Sequence, residues 1–482
     1  MSRIRTLISR LLNPAVLLSS LLITMFLFGG SARADSLGQL VVIPVSFAML
    51  LVGAWRFAGA FSTFRAAAVF LVVACAVVLL QLIPLPPSAW SSLPGHAQFD
   101  ELTRLTGTQE QWRPINLVPQ LGWISLAALL TPAAVFALAC GMTTSGPPAP
   151  RLQRTRSVAP GLAQANGFER LLILVVLIGM ASAMIAIAQV LGPPGGPLYL
   201  HRITNEGAAV GLFANRNHQA AFLTCLLPLL ATWASMPSRS ARGIAARRAA
   251  LVGTAGLIIA LTMVGGSRAG IVLAAIGLGW SFAIYRPVET HRIRGEQKGL
   301  TRLNRVFAVA VILGMVLLTI ILSRAQSIER AMEGGDGDVS LRTDFWLVAW
   351  HQAWEFFPFG TGLGSFVESY RMVEPLELLT PYYVNHAHND WLEVLHGGGL
   401  PAAALLIGFA IWWLVRMVAL FRSGARQTAA GRLALAGGAV ISILGVASVV
   451  DYPLRTAPLS ALFMLAAVWL GGESGSRGLP SK

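Results

Sequence analysis

The chain contains little charge and little cysteine. Only 12% of its 482 residues are charged, whereas 55% are hydrophobic. So low a charge content excludes an ordinary soluble domain and is typical of a protein with many membrane-spanning helices. The three cysteines, Cys75, Cys140 and Cys225, all lie inside apolar runs, which excludes a disulfide framework and a cysteine zinc site.

Apolar runs of helical length follow one another along the whole chain. Each is close to the length needed to cross the hydrocarbon core of a bilayer. The sequence therefore predicts an all-α polytopic membrane protein with about twelve transmembrane helices, forming a single integral domain over residues 1–482. The predicted spans are 12–31, 38–55, 66–83, 119–141, 170–191, 217–235, 249–265, 269–285, 306–323, 391–415, 432–450 and 456–471.

The N-terminus allows two interpretations. Arg3, Arg5 and Arg10 precede the first apolar run, and residues 32–34 after it resemble a signal-peptide cleavage site. The run is longer than the apolar part of a usual signal peptide, and a second span follows at once. We therefore favour an uncleaved first helix, although cleavage stays open, and both interpretations place the following chain outside.

The formal net charge of +15 is distributed unevenly between the two sides of the predicted membrane protein. When the N-terminus is placed inside, most of the 36 arginines and lysines fall in inner loops and most of the 21 acids fall in outer loops. This is the positive-inside pattern. We therefore expect both termini in the cytoplasm, and the positive charge requires no nucleic-acid partner.

Titratable residues are concentrated in the predicted outer loops. Every histidine except His291 falls outside, and the longest outer loop, residues 324–390, is rich in aromatic and acidic residues. An amphipathic helix is predicted within it near residues 345–357. The loop leads into the stretch from Asn385 to Gly399, which holds a cluster of polar residues. Such a cluster beside a bilayer costs free energy unless its residues contact water, pair with one another or form a functional site.

Three arginines on the outer side are candidate anion-binding residues. Arg216 stands between Asn215 and Asn217 at the start of the sixth span, where backbone N–H groups and the helix dipole favour an anion. An arginine reaching the membrane surface beside asparagine caps explains the same residues. Arg268 lies in a tight outer hairpin among small residues, on the side where topology does not require it, and Arg342 opens a helix in the long loop but could simply pair with an acid there.

Metal binding is a weaker interpretation of this region. His386 and His388 are two residues apart, which is not a helical metal-ligand spacing, and nothing nearby completes a site. Asp336 and Asp338 could hold a divalent ion, but they lie in a glycine-rich turn that is more typical of a solvated loop. We therefore predict no metal site.

Taken together, these motifs resemble the O-antigen ligase and polymerase superfamily of bacterial envelopes. The resemblance is carried by residues 213–220, by Ser267-Arg268-x-Gly270, by the Arg342 helix and by His388-Asn389-x-x-Leu392 with the three glycines that follow. It is strongest over residues 210–410. Each motif is weak alone, and it is their order and spacing that are specific.

The resemblance implies a fold like that of the GT-C lipid-linked-sugar transferases and a set of site residues. By motif match, the functional histidine falls on His388, and the two functional arginines fall on Arg268 and Arg342. We add Arg216 to the diphosphate-binding residues. Residues expected to support the site are Asn389, Asn215, Asn217, His386 and Asp390. No metal or other cofactor is implied.

The implied reaction is glycan transfer in the bacterial inner membrane, with the active site facing the periplasm. The donor would be a glycan on undecaprenyl diphosphate, and the acceptor would be the lipid A core for a ligase. For a polymerase of O-antigen or exopolysaccharide repeats, the acceptor would be another lipid-linked saccharide. The sequence does not decide between ligase and polymerase. A transporter or flippase is a third hypothesis, disfavoured because the spans carry almost no charge.

Overall fold

The computed structural model describes residues 12–33, 36–144, 161–237, 240–287, 335–379 and 384–472, and it describes residues 143–144, 161–166, 168–169 and 335–343 only in their backbone. The described residues are mostly helical, with one short antiparallel pair of strands, β1 (Pro84–Leu85) and β2 (Arg113–Pro114). The helices are α1 (Pro14–Phe28), α2 (Gln39–Phe57), α3 (Arg65–Gln81), α4 (Pro87–Ser91), α5 (Asp100–Leu105), α6 (Pro119–Ala128), α7 (Leu130–Thr144), α8 (Gly161–Leu191), α9 (Arg216–Ala234), α10 (Ala241–Val264), α11 (Arg268–Ile284), α12 (Gly335–Glu355), α13 (Phe366–Arg371), α14 (Asp390–Arg422), α15 (Ala429–Val450) and α16 (Ala457–Gly471). Short 3₁₀ turns cover Ala58–Phe64, Ala97–Phe99, Leu376–Leu378, Ala425–Gln427 and Pro453–Arg455.

Several of these helices are long and apolar enough to cross a membrane. Within the described ranges, six segments meet that standard, and three shorter apolar helices accompany them. The predicted span 306–323 lies outside the described residues. The chain is therefore a multi-pass membrane protein, while the number of twelve crossings stays a prediction. The six segments are Gln39–Gln81, Pro119–Met142, Arg170–Leu191, Ala241–Val264, Asp390–Arg422 and Ala429–Val450.

The core of the bundle is built from apolar side chains and small residues. The rings of Phe26, Phe213 and Phe222 pack on one another and are fully buried. A Cβ at Gly437 would lie only 2.5 Å from the carbonyl oxygen of Ala466, so α15 and α16 approach more closely than larger residues allow. Small residues at helix contacts are the usual means of close packing in membranes, where burial of apolar surface does not drive helices together.

Helix α14 is broken near its start, at Gly399. This glycine has a φ of 55° and a ψ of −147°, and a Cβ there would lie 2.1 Å from the carbonyl oxygen of Pro358. The loop that begins at Pro358 packs against the break, and the amide of Gln81 joins both by donating to the carbonyl oxygens of Phe359 and Gly397. The break separates a short polar segment, residues 390–398, from the long apolar remainder of α14.

The two ends of the bundle differ in chemistry. At one end the start of α9 meets the end of α15 around Asp451, together with the starts of α11 and α14. At the other end the guanidinium of Arg432 donates to the carbonyl oxygen of Ser235, and the backbone N–H of Arg286 donates to the Ser235 hydroxyl. The segments that contain Arg216, Arg268 and His388, all predicted to be in outer loops, therefore lie at the same end of the bundle.

Candidate active site

Asp451 lies at the centre of the polar cluster. It directly follows α15 and is 2% exposed. Its carboxylate accepts hydrogen bonds from the backbone N–H of Tyr452 at 2.9 Å, from the Asn217 amide at 2.6 Å and from the Asn215 amide at 3.2 Å. A buried carboxylate of this kind is stable only when donors surround it.

The two asparagines come from the first turn of α9. Asn215 is the N-cap of this helix, because its side-chain oxygen accepts from the backbone N–H of Asn217 at 2.8 Å. Of the two asparagines considered as caps, Asn215 is thus one, whereas the side chain of Asn217 donates to Asp451. An anion also lies at this helix start, as the helix dipole favours, but it is the carboxylate of Asp451, which belongs to the protein itself.

Two imidazoles face the same carboxylate. Nε2 of His218 lies 3.5 Å from Asp451 Oδ1, and Nδ1 of His388 lies 3.6 Å from the same oxygen. His218 is fully buried, whereas the His388 side chain is 24% exposed. His388 is therefore the one of the two imidazoles that a substrate can reach.

The backbone of His388 is held in an unusual conformation. With a φ of 49°, it is the only residue other than glycine at positive φ in the described part of the chain. Such conformations cost on the order of 1–3 kcal/mol and persist where the surrounding structure enforces them, often at functional sites. The helix that follows is fixed by Asn389, whose side chain caps α14 by accepting from the Leu392 backbone N–H at 3.1 Å.

The ring of Tyr452 connects the histidines of the cluster. Its centroid lies 4.2 Å from that of His386 and 5.0 Å from those of His218 and His388. The Tyr452 hydroxyl accepts from the side-chain amide of Asn385 at 3.3 Å. Three imidazoles are thus held around one buried aromatic ring, which fixes their relative positions.

A second layer of charge lies directly behind this cluster. The Arg455 guanidinium binds the carboxylates of Asp390 at 2.9 Å and Glu393 at 3.1 Å. Glu393 in turn contacts Nδ1 of His386 at 3.1 Å and accepts from the backbone N–H of Ala387. The backbone N–H of Asp390 reaches the Asp451 carbonyl oxygen at 3.3 Å, which joins the two layers.

The electrostatics of the site follow from burial and from these contacts. Burial alone would raise the pKa of the Asp451 carboxyl, but His218 and His388 outweigh it and hold that pKa well below its usual range. Burial lowers the pKa of His386, although Glu393 acts in the opposite direction. Burial would lower the pKa of Arg455, but its two carboxylate partners raise it. Asp451 is therefore a fixed negative charge at neutral pH.

Arg268 and Arg216 lie beside the cluster. Arg268 is the first residue of α11, and its side chain is exposed. The preceding residue, Ser267, caps that helix and donates its hydroxyl hydrogen to Oδ1 of Asn217 at 2.8 Å. Arg268 therefore directly follows a residue that is hydrogen-bonded to the Asp451 cluster. The backbone N–H of Arg216 donates to Asn205 Oδ1, and its side chain is half-buried.

Arg342 belongs to α12, the helix that packs on the His388 segment. Trp346, one turn further along α12, donates its indole N–H to the carbonyl oxygen of Ala387 at 2.7 Å. The described structure therefore places this helix next to the residue before His388. The side chain of Arg342 is outside the described part, as are those of Asp336 and Asp338, so their predicted roles stay predictions.

The supporting residues have roles that differ in detail from those expected. Asn389 caps α14, and its predicted supporting role beside His388 stays a prediction. His386 pairs with Glu393, and Asp390 pairs with Arg455. Both belong to the second layer.

Sequence reasoning missed Asp451 and Arg455. A signal was present, because they are the only two charged residues between Leu433 and Gly471. A carboxylate and a guanidinium between two apolar spans are costly unless they are paired or functional, and the same holds for the asparagines at the start of α9. What the sequence does not reveal is that α9 and α15 bring these residues together.

An apolar cavity of about 630 Å³ reaches the second layer from within the bundle. Its walls come from α3, α14, α15 and α16, and include Val78, Leu406 and Phe409. Asp390 and Arg455 line its polar end. In the described residues, no group of three or more histidines, cysteines or acids has an arrangement that could hold a metal ion.

A comparison with known protein families finds a match to a part of the chain that contains several of the predicted site residues. Residues 253–407 match the family model described as O-antigen ligase. The match includes Arg268, Arg342 and His388, whereas Asn217 and Asp451 lie outside it. A search of curated proteins finds no match. The match over residues 253–407 confirms the resemblance of this part of the chain to the O-antigen ligase superfamily.

Proposed function

We propose that this protein is a metal-independent glycosyltransferase of the O-antigen ligase type, with both termini in the cytoplasm. It moves a glycan from undecaprenyl diphosphate to a saccharide acceptor at the periplasmic face of the bacterial inner membrane, and the acceptor is the lipid A core. The observation that carries the proposal is the contact between Asp451 and His388, because His388 lies within residues 253–407, which match the O-antigen ligase family. It gives a reachable imidazole a fixed, buried carboxylate partner.

His388 acts as the general base. Asp451 faces its Nδ1, which favours the tautomer that carries its proton there and leaves Nε2 free to accept one. The acceptor hydroxyl gives its proton to Nε2 as its oxygen bonds to the anomeric carbon. The charge of Asp451 stabilises the imidazolium that forms, and a positioned base of this kind contributes on the order of 10²–10⁴-fold.

Arginines stabilise the leaving group. As the new bond forms, the bond between the anomeric carbon and the diphosphate oxygen breaks, and the electron pair stays on the diphosphate. Guanidinium groups match phosphate oxygens in geometry and keep their charge. Arg268 and Arg342 are the proposed partners, assisted by Arg216, and losing one such donor costs roughly 10²–10³-fold in rate. Attack opposite the leaving group inverts the anomeric centre.

The apolar cavity supports a lipid-linked substrate. Its walls are almost entirely hydrocarbon, and its polar end is the Asp390–Arg455 pair behind the site. A polyprenyl chain in this cavity would pack against its hydrocarbon walls. Its diphosphate end would then lie toward the Asp390–Arg455 pair. Arg455 already pairs with two carboxylates in that layer, Asp390 and Glu393, so binding the added negative charge falls to the arginines outside it.

A deletion strain complemented with variants tests the proposal. A ligase deletion leaves free lipid A core together with unligated long glycan, and wild-type protein restores ligation. We expect His388→Ala and Arg342→Ala to fail, although both are produced at normal levels in the membrane. Glu101→Gln, a change at an exposed outer acid, serves as the control and restores ligation fully. Wild-type ligation by His388→Ala would refute the assignment, whereas single-repeat products in the deletion strain would indicate a polymerase.

A further inference from the structure

A second pocket opens on the outer part of the molecule, away from the Asp451 cluster. It has a volume of about 500 Å³ and lies between the segment from Trp90 to Pro119 and helix α13. None of the residues that form the Asp451 cluster lines it. Nothing in the proposed transfer mechanism uses it.

One wall of the pocket is rich in hydrogen-bond acceptors. The hydroxyl of Thr106 donates to the Leu102 carbonyl oxygen at 2.8 Å, and that of Thr103 donates to the Asp100 carbonyl oxygen at 2.9 Å. Because its hydrogen is already used, each oxygen can still accept a hydrogen bond, and that of Thr106 also contacts the Thr108 hydroxyl at 2.8 Å. The Glu368 carboxylate lines the same pocket and is half exposed.

The other wall is apolar and aromatic. Phe99 lies 5.9 Å from Trp90 between ring centroids, and the guanidinium of Arg113 stacks on the Trp90 ring at 5.1 Å. Leu102 and Met372 also line the pocket, although they are 58% and 47% exposed. Exposed apolar side chains in a concave site that also holds polar groups are typical of ligand binding.

These two walls suit a saccharide. A sugar ring offers an apolar C–H face and an edge of hydroxyl donors, which complement the rings and the acceptors respectively. A phosphate would place its charge beside the Glu368 carboxylate, and the one arginine among the described residues that line the pocket, Arg113, already stacks on Trp90 and donates to the carbonyl and hydroxyl oxygens of Thr108. An unsubstituted hydrocarbon chain would offer no hydrogen-bond donor to the threonine oxygens or to the Glu368 carboxylate.

The floor of the pocket is connected to the catalytic region. The Asn116 side chain donates to the Leu363 carbonyl oxygen at 3.0 Å, in the loop that packs on the break in α14. From the other side, Gln352 donates to the Ser369 carbonyl oxygen at 2.7 Å and contacts Nε2 of His396 at 2.8 Å. The pocket therefore rests on the same short helical segment, residues 390–398, that follows His388.

We propose that this pocket binds a sugar unit of the donor or acceptor glycan, outside the site of bond formation. The inference rests on the proposed glycan transfer for its substrate. Glu368 and Thr106 are the residues that accept from the sugar hydroxyls, and Phe99 and Leu102 contact the ring face. Such a site would select which glycan is presented to His388.

Glu368→Gln in the full-length protein, in lipid nanodiscs, tests this proposal. The matched control is Glu101→Gln, because each glutamate pairs with an arginine three residues later on the outer part, but only Glu368 lines the pocket. The substrates are donor and acceptor lipids extracted from the source bacterium. We expect Glu368→Gln to raise the KM of one substrate about tenfold with kcat within about twofold, because a hydrogen bond to a charged group is lost. Which KM rises identifies the glycan that binds.

Direct binding separates this proposal from the transfer mechanism. Saturation-transfer NMR would use the saccharide released from the donor by mild acid, and separately the acceptor saccharide. We expect the signal of one saccharide to weaken in Glu368→Gln and Thr106→Val, and to persist in Glu101→Gln and in His388→Ala, which transfers nothing. Unchanged KM values and unchanged signals in Glu368→Gln would overturn the pocket assignment. Saccharide binding that depends on Glu368 in a wild-type protein without transfer activity would instead overturn the proposed function.

Discussion

Replacing Asp451 by asparagine tests how the site is held together. The change keeps the shape of the side chain but removes its charge and turns one acceptor oxygen into a donor. That new amide would face donors at every side, because Asn215, Asn217 and the Tyr452 backbone N–H all donate to the carboxylate. Mispaired buried groups of this kind cost about 1–3 kcal/mol each.

The effect on catalysis should exceed the effect on folding. Without the carboxylate, Nδ1 of His388 loses its anionic partner, and the imidazolium formed during transfer is no longer stabilised. We expect kcat to fall roughly 10²–10⁴-fold, while the KM for the lipid-linked donor changes little. Transfer by purified protein and thermal unfolding in detergent measure the two effects. Asp100→Asn, at an exposed acid of the outer part, is the control. A kcat within about threefold of wild type for Asp451→Asn would refute the role given to this carboxylate.

Three further predictions concern the framework. Gly399→Ala should lower the free energy of unfolding by about 1–3 kcal/mol or more, because φ is positive there and the new Cβ would clash with the Pro358 carbonyl oxygen. Gly408→Ala in the same helix meets only an ordinary contact at 3.8 Å, so it should be neutral or stabilising, and thermal unfolding compares the two variants. His388→Gly and His388→Ala should both abolish transfer. The glycine variant should nevertheless unfold at the higher temperature, since alanine at a φ of 49° costs about 1–2 kcal/mol. Equal unfolding temperatures would contradict the backbone strain at this position. The pKa of His386, whose side chain is 15% exposed, is lowered in the folded protein. The unfolded chain therefore binds the proton more readily, and stability should fall as the pH drops below about 6.5. His386→Asn should show a weaker loss of stability between pH 7.5 and pH 5.5 in the same unfolding assay.

Local features of the sequence predicted much of the fold. Apolar length and charge asymmetry located the helices, because both are properties of contiguous residues. The cap at Asn215 is likewise local, since its side chain bonds a backbone N–H two residues away. The break at Gly399 was not predicted, although three glycines were visible, because it depends on a loop some forty residues earlier in the chain.

The candidate site was predicted only in its local parts. His388, Arg268 and Arg342 stand in recognisable motifs, whereas Asp451 stands alone between two apolar runs. Its significance comes from packing of α9 against α15, which joins residues more than two hundred positions apart. The same holds for Arg455, whose partners Asp390 and Glu393 lie on another helix. Long-range pairing of this kind has no local sequence signal.

The most direct measurement is glycan transfer by the purified protein. Wild-type protein and His388→Ala would be reconstituted separately in nanodiscs with undecaprenyl-diphosphate-linked glycan and lipid A core from the source bacterium, in the presence of EDTA. The product would be followed by gel mobility and mass spectrometry. We predict that the wild-type protein joins glycan to the lipid A core with EDTA present and that His388→Ala does not. Equal product from both proteins, or a wild-type protein that requires added Mg²⁺ or Mn²⁺, would contradict the mechanism proposed for this site.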